Sequence, residues 1–191
     1  MSDADRQKWD ARYRESGAAL GEPSGFLRQW DPFLPKTGRA LDVGGGTGRN
    51  AIWLAERGLD VTLLDISQVA LSKAAETFEK QSLRIHAVQA DLDDEPLPTG
   101  PWDLIVCVSF LCRKLYPAAY QLLAPGGLLV AAQPTRTNLK RHPKPGPDYL
   151  LEDGELPLLV DPLVIEYYEE GWLEDGRHEG RIRARKAVLP R

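Results

Sequence analysis

The stretch Arg39-Ala40-Leu41-Asp42-Val43-Gly44-Gly45-Gly46-Thr47-Gly48-Arg49-Asn50 sets a short apolar run directly before a loop with glycine at four of five positions. Such a run, bounded by glycine, predicts a strand over Arg39–Val43. A helix over Arg49–Arg57 follows, with Ile52, Leu54 and Ala55 facing a sheet and Gly58 stopping it. Glycines let backbone approach a ligand with no Cβ in the way, and the helix amino terminus adds free N–H groups and partial positive charge. A carboxylate or phosphate suits that place.

The same alternation continues outward. Leu59–Leu64 predicts a second strand ending at Asp65, and Ser67 is placed to cap a helix reaching about Lys80. Leu83–Val88 is a third strand ending just before Asp91. Asp103–Val108 is a fourth, followed by a helix over Arg113–Leu123, a turn at Ala124-Pro125-Gly126-Gly127 and a fifth strand over Leu128–Ala132. Upstream lie helices over Asp3–Ser16, ended by Gly17, and over Ser24–Leu34, ended by Pro35, with Ser24 as N-cap. Downstream, Thr135–Pro162 is a proline-rich excursion, and Leu163–Glu169 with Gly180–Val188 predicts an antiparallel hairpin on the sheet edge. The expected fold is α/β: a doubly wound, seven-stranded, mostly parallel sheet with a C-terminal antiparallel hairpin. We read 1–191 as a single domain, with a helical cap at 1–36, a core at 37–134, the excursion at 135–162 and the hairpin at 163–191.

Composition narrows the function classes. The 191 residues carry a net charge of −4, too mild for a dedicated nucleic-acid or anionic-membrane surface. No apolar run approaches the roughly 20 residues of a membrane helix, and no signal-peptide pattern opens the chain, so a cytoplasmic protein without membrane or nucleic-acid partners is expected, monomeric or homodimeric. Cys107 and Cys112 fit neither a zinc knuckle nor a redox pair. His86, His142 and His178 are scattered without metal-ligand spacing, so no metal is expected.

In open α/β sheets ligands bind beyond the carboxyl ends of the strands. Asp65 is placed there to accept from both hydroxyls of a ribose, and Asp91 to accept from an adenine amino group. Gly46-Thr47-Gly48-Arg49-Asn50-Ala51 also fits the dinucleotide fingerprint, with Asp65 19 residues beyond Gly46. A nucleotide-dependent oxidoreductase therefore stays open, although that frame leaves Gly44 and Gly45 surplus.

Ala40 to Gly48 resembles motif I of class I S-adenosylmethionine-dependent methyltransferases, with Asp65 and Asp91 at that family's acidic ribose and adenine positions. Trp9-Asp10-Ala11-Arg12-Tyr13, Leu123 to Gly127, Tyr149 to Leu156 and Tyr168 to Trp172 are similar to small bacterial methyltransferases of the tellurite-resistance type. The resemblance implies S-adenosylmethionine as cofactor. Gly44, Gly46 and Gly48 would line its methionine end, Asp42 order its amino group, Asp65 with Ile66 hold the ribose, and Asp91 with Leu92 hold adenine. Tyr13 would close over the cofactor, where an aromatic face favours a sulfonium, and Cys107 completes the cofactor-side set.

Methyl transfer from a sulfonium is an in-line displacement that needs alignment more than a fixed base. The segment Cys107-Val108-Ser109-Phe110-Leu111 lacks the Asn/Asp-Pro-Pro-Tyr/Phe signature of amino-group nucleic-acid methyltransferases. The expected acceptor is a small molecule, anionic or softly nucleophilic, such as a chalcogen oxyanion or a thiol. Arg113, Arg136, Lys140, Arg141 and Lys144 are candidates to face it, with Arg12 and His142 as candidates for catalysis. A non-catalytic S-adenosylmethionine-binding module is the second alternative.

Overall fold

The apolar run around Asp42 forms the strand β1, Arg39–Val43, four of whose five residues are buried. In the computed structural model, which describes residues 3–15 and 21–188, the chain falls into two compact units, Met1–Thr99 and Gly100–Arg191. The expected helix end at Ser16 and Gly17 lies outside the described residues.

The first unit holds α1 (Asp3–Glu15), α2 (Gly25–Gln29), β1, α3 (Arg49–Ala55), β2 (Asp60–Asp65), α4 (Gln68–Gln81) and β3 (Ile85–Gln89). Parallel pairing sets Val43 beside Leu64 and Asp65 beside Gln89, so the carboxyl ends of the three strands are level. Leu41, Val43, Leu54, Leu63, Ala70 and Ala74 are buried around this sheet. α1 buries no residue; an Asp3–Arg6 pair and opposite charges at its two ends support it.

The second unit holds β4 (Trp102–Val108), α5 (Leu115–Leu122), β5 (Leu123–Pro134), α6 (Glu155–Leu159), β6 (Val164–Trp172) and β7 (His178–Arg185). β4 and β5 are parallel, and β7 is antiparallel to both β5 and β6. The strand order is β3-β2-β1-β4-β5-β7-β6, the seven-stranded, mostly parallel sheet with a terminal antiparallel pair that was expected. No helix among the described residues is long and apolar enough to cross a membrane.

Three boundaries differ from the sequence expectation. The helix over Ser24–Leu34 breaks: α2 stops at Gln29 and a 3₁₀ turn follows at Asp31–Phe33, because Pro32 has no amide to donate and disfavours helical backbone at the residue before it. Ala124 to Gly127 is a bulge inside β5 rather than a turn before it. Trp102 pairs with Leu123 and Leu104 with Leu128, while the Gly126 and Lys186 amides donate across to carbonyls of Lys186 and Gly127 at 3.0 Å each. The hairpin strands run on through Trp172 and start at His178, which shortens the connection to Leu173–Arg177.

Ser67 caps α4, its hydroxyl accepting from the Ala70 amide at 3.1 Å. Ser24 holds the N-cap position of α2, but its side chain makes no cap bond and its amide donates to Asn50 Oδ1 at 2.9 Å. Ser67→Ala is expected to lower stability by about 1–2 kcal/mol, read as a lower urea midpoint. Ser24→Ala should stay within about 0.5 kcal/mol of the parent; equal losses would refute the assignment.

Candidate functional site

β1 delivers Asp42 and the glycine loop to the same end of the first unit as Asp65 from β2 and Asp91 from the turn after β3. Gly44, Gly46 and Gly48 take φ of +67°, +58° and +83°. At Gly46 this left-handed backbone turns the amide toward Asp65, whose Oδ2 accepts it at 2.8 Å. A Cβ at Gly46 would stand 2.4 Å from the Tyr13 hydroxyl, and one at Gly45 would stand 2.5 Å from Asp42 Oδ2. The loop is a cradle that any side chain would fill.

Asp42 is 1% exposed and accepts from the Ala51 amide, yet its Oδ2 has no hydrogen-bond partner among the described residues. Burial pushes its carboxyl up to about 7, and the nearby Asp65 charge acts in the same direction. An orphaned, buried carboxylate oxygen beside a glycine cradle fits a bound ammonium group, which is what the amino-acid end of S-adenosylmethionine carries.

Asp65 also accepts from the Ser67 amide at 2.9 Å, through Oδ1. Burial raises its pKa against the opposing pull of those amides. Each carboxylate oxygen has a second lone pair, so both remain able to accept from vicinal hydroxyls. Asp91 instead forms a turn: the Asp93 amide donates to its Oδ1 at 3.0 Å, and its own amide donates to Glu95 Oε1 at 2.9 Å. Ile66, Gln89, Asp91 and Glu95 line a cavity of about 140 Å³ together with Asp3 and Arg6 of α1. Leu92 is buried.

α1 is tied to the start of α4. Asp10 accepts from the Ser67 hydroxyl at 2.6 Å and the Val69 amide at 3.3 Å, and Lys73 donates to the Tyr13 carbonyl. Tyr13 is thereby set over the loop, its phenol pushed up to about 12 by burial and by the Asp65 charge. Arg12 is exposed, its guanidinium 5.0 Å from the centroid of the Trp9 ring, which in turn lies 6.0 Å from the Tyr13 ring.

The second unit places the remaining candidates. Cys107 is buried in β4 and its thiol donates to the Phe110 carbonyl at 3.0 Å. The expected cationic surface is largely occupied internally. Arg113 pairs with Glu155 at 2.7 Å, Arg136 pairs with Glu152 at 2.5 Å, and Arg141 stacks 3.8 Å over the Trp172 ring. His142 Nε2 bonds the Gly176 carbonyl at 2.8 Å, which ties it to the hairpin loop, and Lys140 and Lys144 are exposed. Sequence reasoning did not single out Asp10, Lys73 or Gln89; the capping serine beside Asp65 was the available signal for Asp10, since a helix start attracts a carboxylate.

Residues 40–127 match a family model described as a methyltransferase domain. A malonyl-[acyl-carrier protein] O-methyltransferase of Enterobacter lignolyticus is 35% identical over 97 residues, covering 48% of this chain and 37% of that protein. A tRNA 5-carboxymethoxyuridine methyltransferase of Escherichia coli is 33% identical over 145 residues, covering 65% and 55%. The chain thus spans between a third and just over half of the length of these relatives. A TehB-like S-adenosylmethionine-dependent methyltransferase from Corynebacterium glutamicum superposes with a TM-score of 0.68 at 21% identity, covering 97% of this chain and all of that one. The glycine loop lies inside the matched residues.

The raised Asp42 pKa carries a signed expectation. Its folded value lies above the ordinary 3.8, so the stabilisation it gives is full at low pH and is lost as pH rises to about 7. Urea midpoints of the parent and Asp42→Asn should therefore move apart in favour of the variant between about pH 4 and pH 7 and run parallel above. A difference that does not change with pH would overturn this.

Proposed function

We propose that this chain is a class I S-adenosylmethionine-dependent methyltransferase that transfers the sulfonium methyl group to a small acceptor with a soft nucleophilic atom, a thiol or chalcogen oxyanion. The observation that carries the cofactor half is the orphaned Asp42 oxygen beside the Gly44 to Gly48 cradle, with Asp65 at the adjacent strand end.

When bound, the cofactor supplies an electrophilic methyl group whose bond to sulfur breaks as the acceptor bond forms, the sulfur keeping the electron pair. Asp42 orders the ammonium group, Asp65 with Ile66 positions the ribose, and Asp91 with Leu92 bounds the adenine side, where the cavity lies. Tyr13 presents an aromatic ring and hydroxyl over the loop and keeps water from the reacting end. A soft nucleophile needs no fixed base, which accords with a first unit that gathers acceptors and no histidine at its strand ends.

The choice of a soft acceptor rests on the engagement of Arg136 by Glu152 and of Arg141 by the Trp172 ring, which leaves their charge less available to a solute. The Escherichia coli relative acts, by its name, on tRNA. A net charge of −4 favours a small acceptor here.

Calorimetric titration with S-adenosylhomocysteine, S-adenosylmethionine, NAD and NADP tests the cofactor. Selective binding of the two adenosyl compounds is expected, and Gly46→Val and Asp65→Ala should each weaken it by about tenfold or more. Retained affinity in both variants would overturn the site, and dinucleotide selectivity would overturn the reading. Methyl transfer to thiols or chalcogen oxyanions is expected in an acceptor screen; binding without turnover of any acceptor would make the chain a cofactor-binding module.

Ammonium binding should also pull the Asp42 proton off. Titrations near pH 6 in buffers of different ionisation enthalpy should show net proton release that is absent at pH 8.5 and in Asp42→Asn. Equal release in the variant would assign the proton elsewhere.

A further inference from the structure

We propose that Asp153, Glu170 and His178 form a binding site for a divalent first-row transition-metal ion within the second unit. One ligand atom from each lies within 4.8 Å of the other two. Bonds of about 2.1 Å separate neighbouring donors by roughly 3.0–3.5 Å, so a modest side-chain rotation closes the set.

The three residues come from three segments, and the backbone explains their meeting. Trp172 pairs with His178 across β6 and β7, and Glu170, two residues from Trp172, shares its face. Asp153 arrives from the excursion, which is fixed by the Thr135–Leu151 bridge and by the Arg136 amide donating to the Leu151 carbonyl at 2.8 Å. Separations of 17 and 25 residues from Asp153 make no motif, which is why the histidine spacing carried no metal signal.

Each side chain is held by a neighbour, as ligating residues are. Thr137 donates to Asp153 from its hydroxyl at 2.6 Å and its amide at 3.1 Å. The Gly154 amide and the Tyr168 hydroxyl donate to Glu170 at 2.9 Å and 2.7 Å. His178 has Thr135 Oγ1 2.7 Å from Nδ1, and Trp172 packs edge-on with ring centroids 5.0 Å apart. The imidazole belongs to a residue only 9% exposed, held between the Thr135 hydroxyl and the Trp172 ring. The imidazole donor favours zinc or iron, and the two carboxylates also suit manganese. Exposure falls from Asp153 through Glu170 to His178, which gives the ion a path in from solvent. Three protein ligands leave a coordination position for water or a small ligand.

The test is calorimetric titration of chelator-stripped full-length protein with ZnCl2 and with MnCl2, alongside melting curves in each salt. One saturable site per chain and a raised melting temperature are expected for at least one of the two ions. Asp153→Asn and Glu170→Gln should each weaken binding by about tenfold or more with unchanged circular dichroism. These variants keep the proposal testable if His178→Ala fails to fold. Absence of saturable binding for both ions, or undiminished binding in both variants, would overturn the site. A S-adenosylhomocysteine titration on the same preparation separates this failure from failure of the methyltransferase reading.

Discussion

The Asp65 carboxylate joins the parts of the first unit on which a cofactor site depends. One oxygen takes the Gly46 amide and the other the Ser67 amide, while its backbone carbonyl accepts the Ala90 amide at 3.1 Å. A glycine loop, a helix start and the turn after β3 are thereby referenced to one residue. The positive φ at Gly46 follows from this demand, since its amide reaches Oδ2 from left-handed backbone. The arrangement holds negative charge in a largely buried place, and the opposing helix and loop amides are what keep that tolerable.

The start of α4 is loaded beyond the one aspartate. Asp10 reaches the same helix end through the Ser67 hydroxyl and the Val69 amide, so two carboxylates converge on the positive end of a 14-residue helix. α1 has no buried side chain with which to dock. Its attachment includes Asp10, the Lys73 bond to the Tyr13 carbonyl and the Tyr13 ring against Gly46. A helix with no fully buried residue opens at lower free energy than the sheet beneath it. That property suits an element whose Tyr13 hydroxyl covers a ligand cradle.

How much was legible in sequence follows from the range of each interaction. β1 was placed to the residue, and the Ser67 cap and the end of β2 at Asp65 were read correctly, because strand pattern and capping are set within a few positions. The break after Gln29 was missed although Pro32 stands inside the expected span, the end of the helix having been placed at Pro35 instead. The bulge in β5 was not readable, since Pro125, Gly126 and Gly127 have turn chemistry and only the pairing of Trp102 with Leu123 keeps them in the strand. The meeting of Asp153, Glu170 and His178 depends on strand register and a remote bridge, neither of which leaves a local trace.

The charges of the excursion make the same point in energetic terms. In sequence, Arg136, Lys140, Arg141, His142 and Lys144 form one cationic run; in the fold, Glu152 lies against Arg136, the Trp172 ring against Arg141 and the Gly176 carbonyl against His142. Exposed pairs of this kind contribute at most about 1 kcal/mol each to stability. Their larger effect is on the local field, because a paired guanidinium presents little net charge to a solute a Debye length away. Lys140 and Lys144, exposed and long, leave a diffuse positive field rather than a directed clamp.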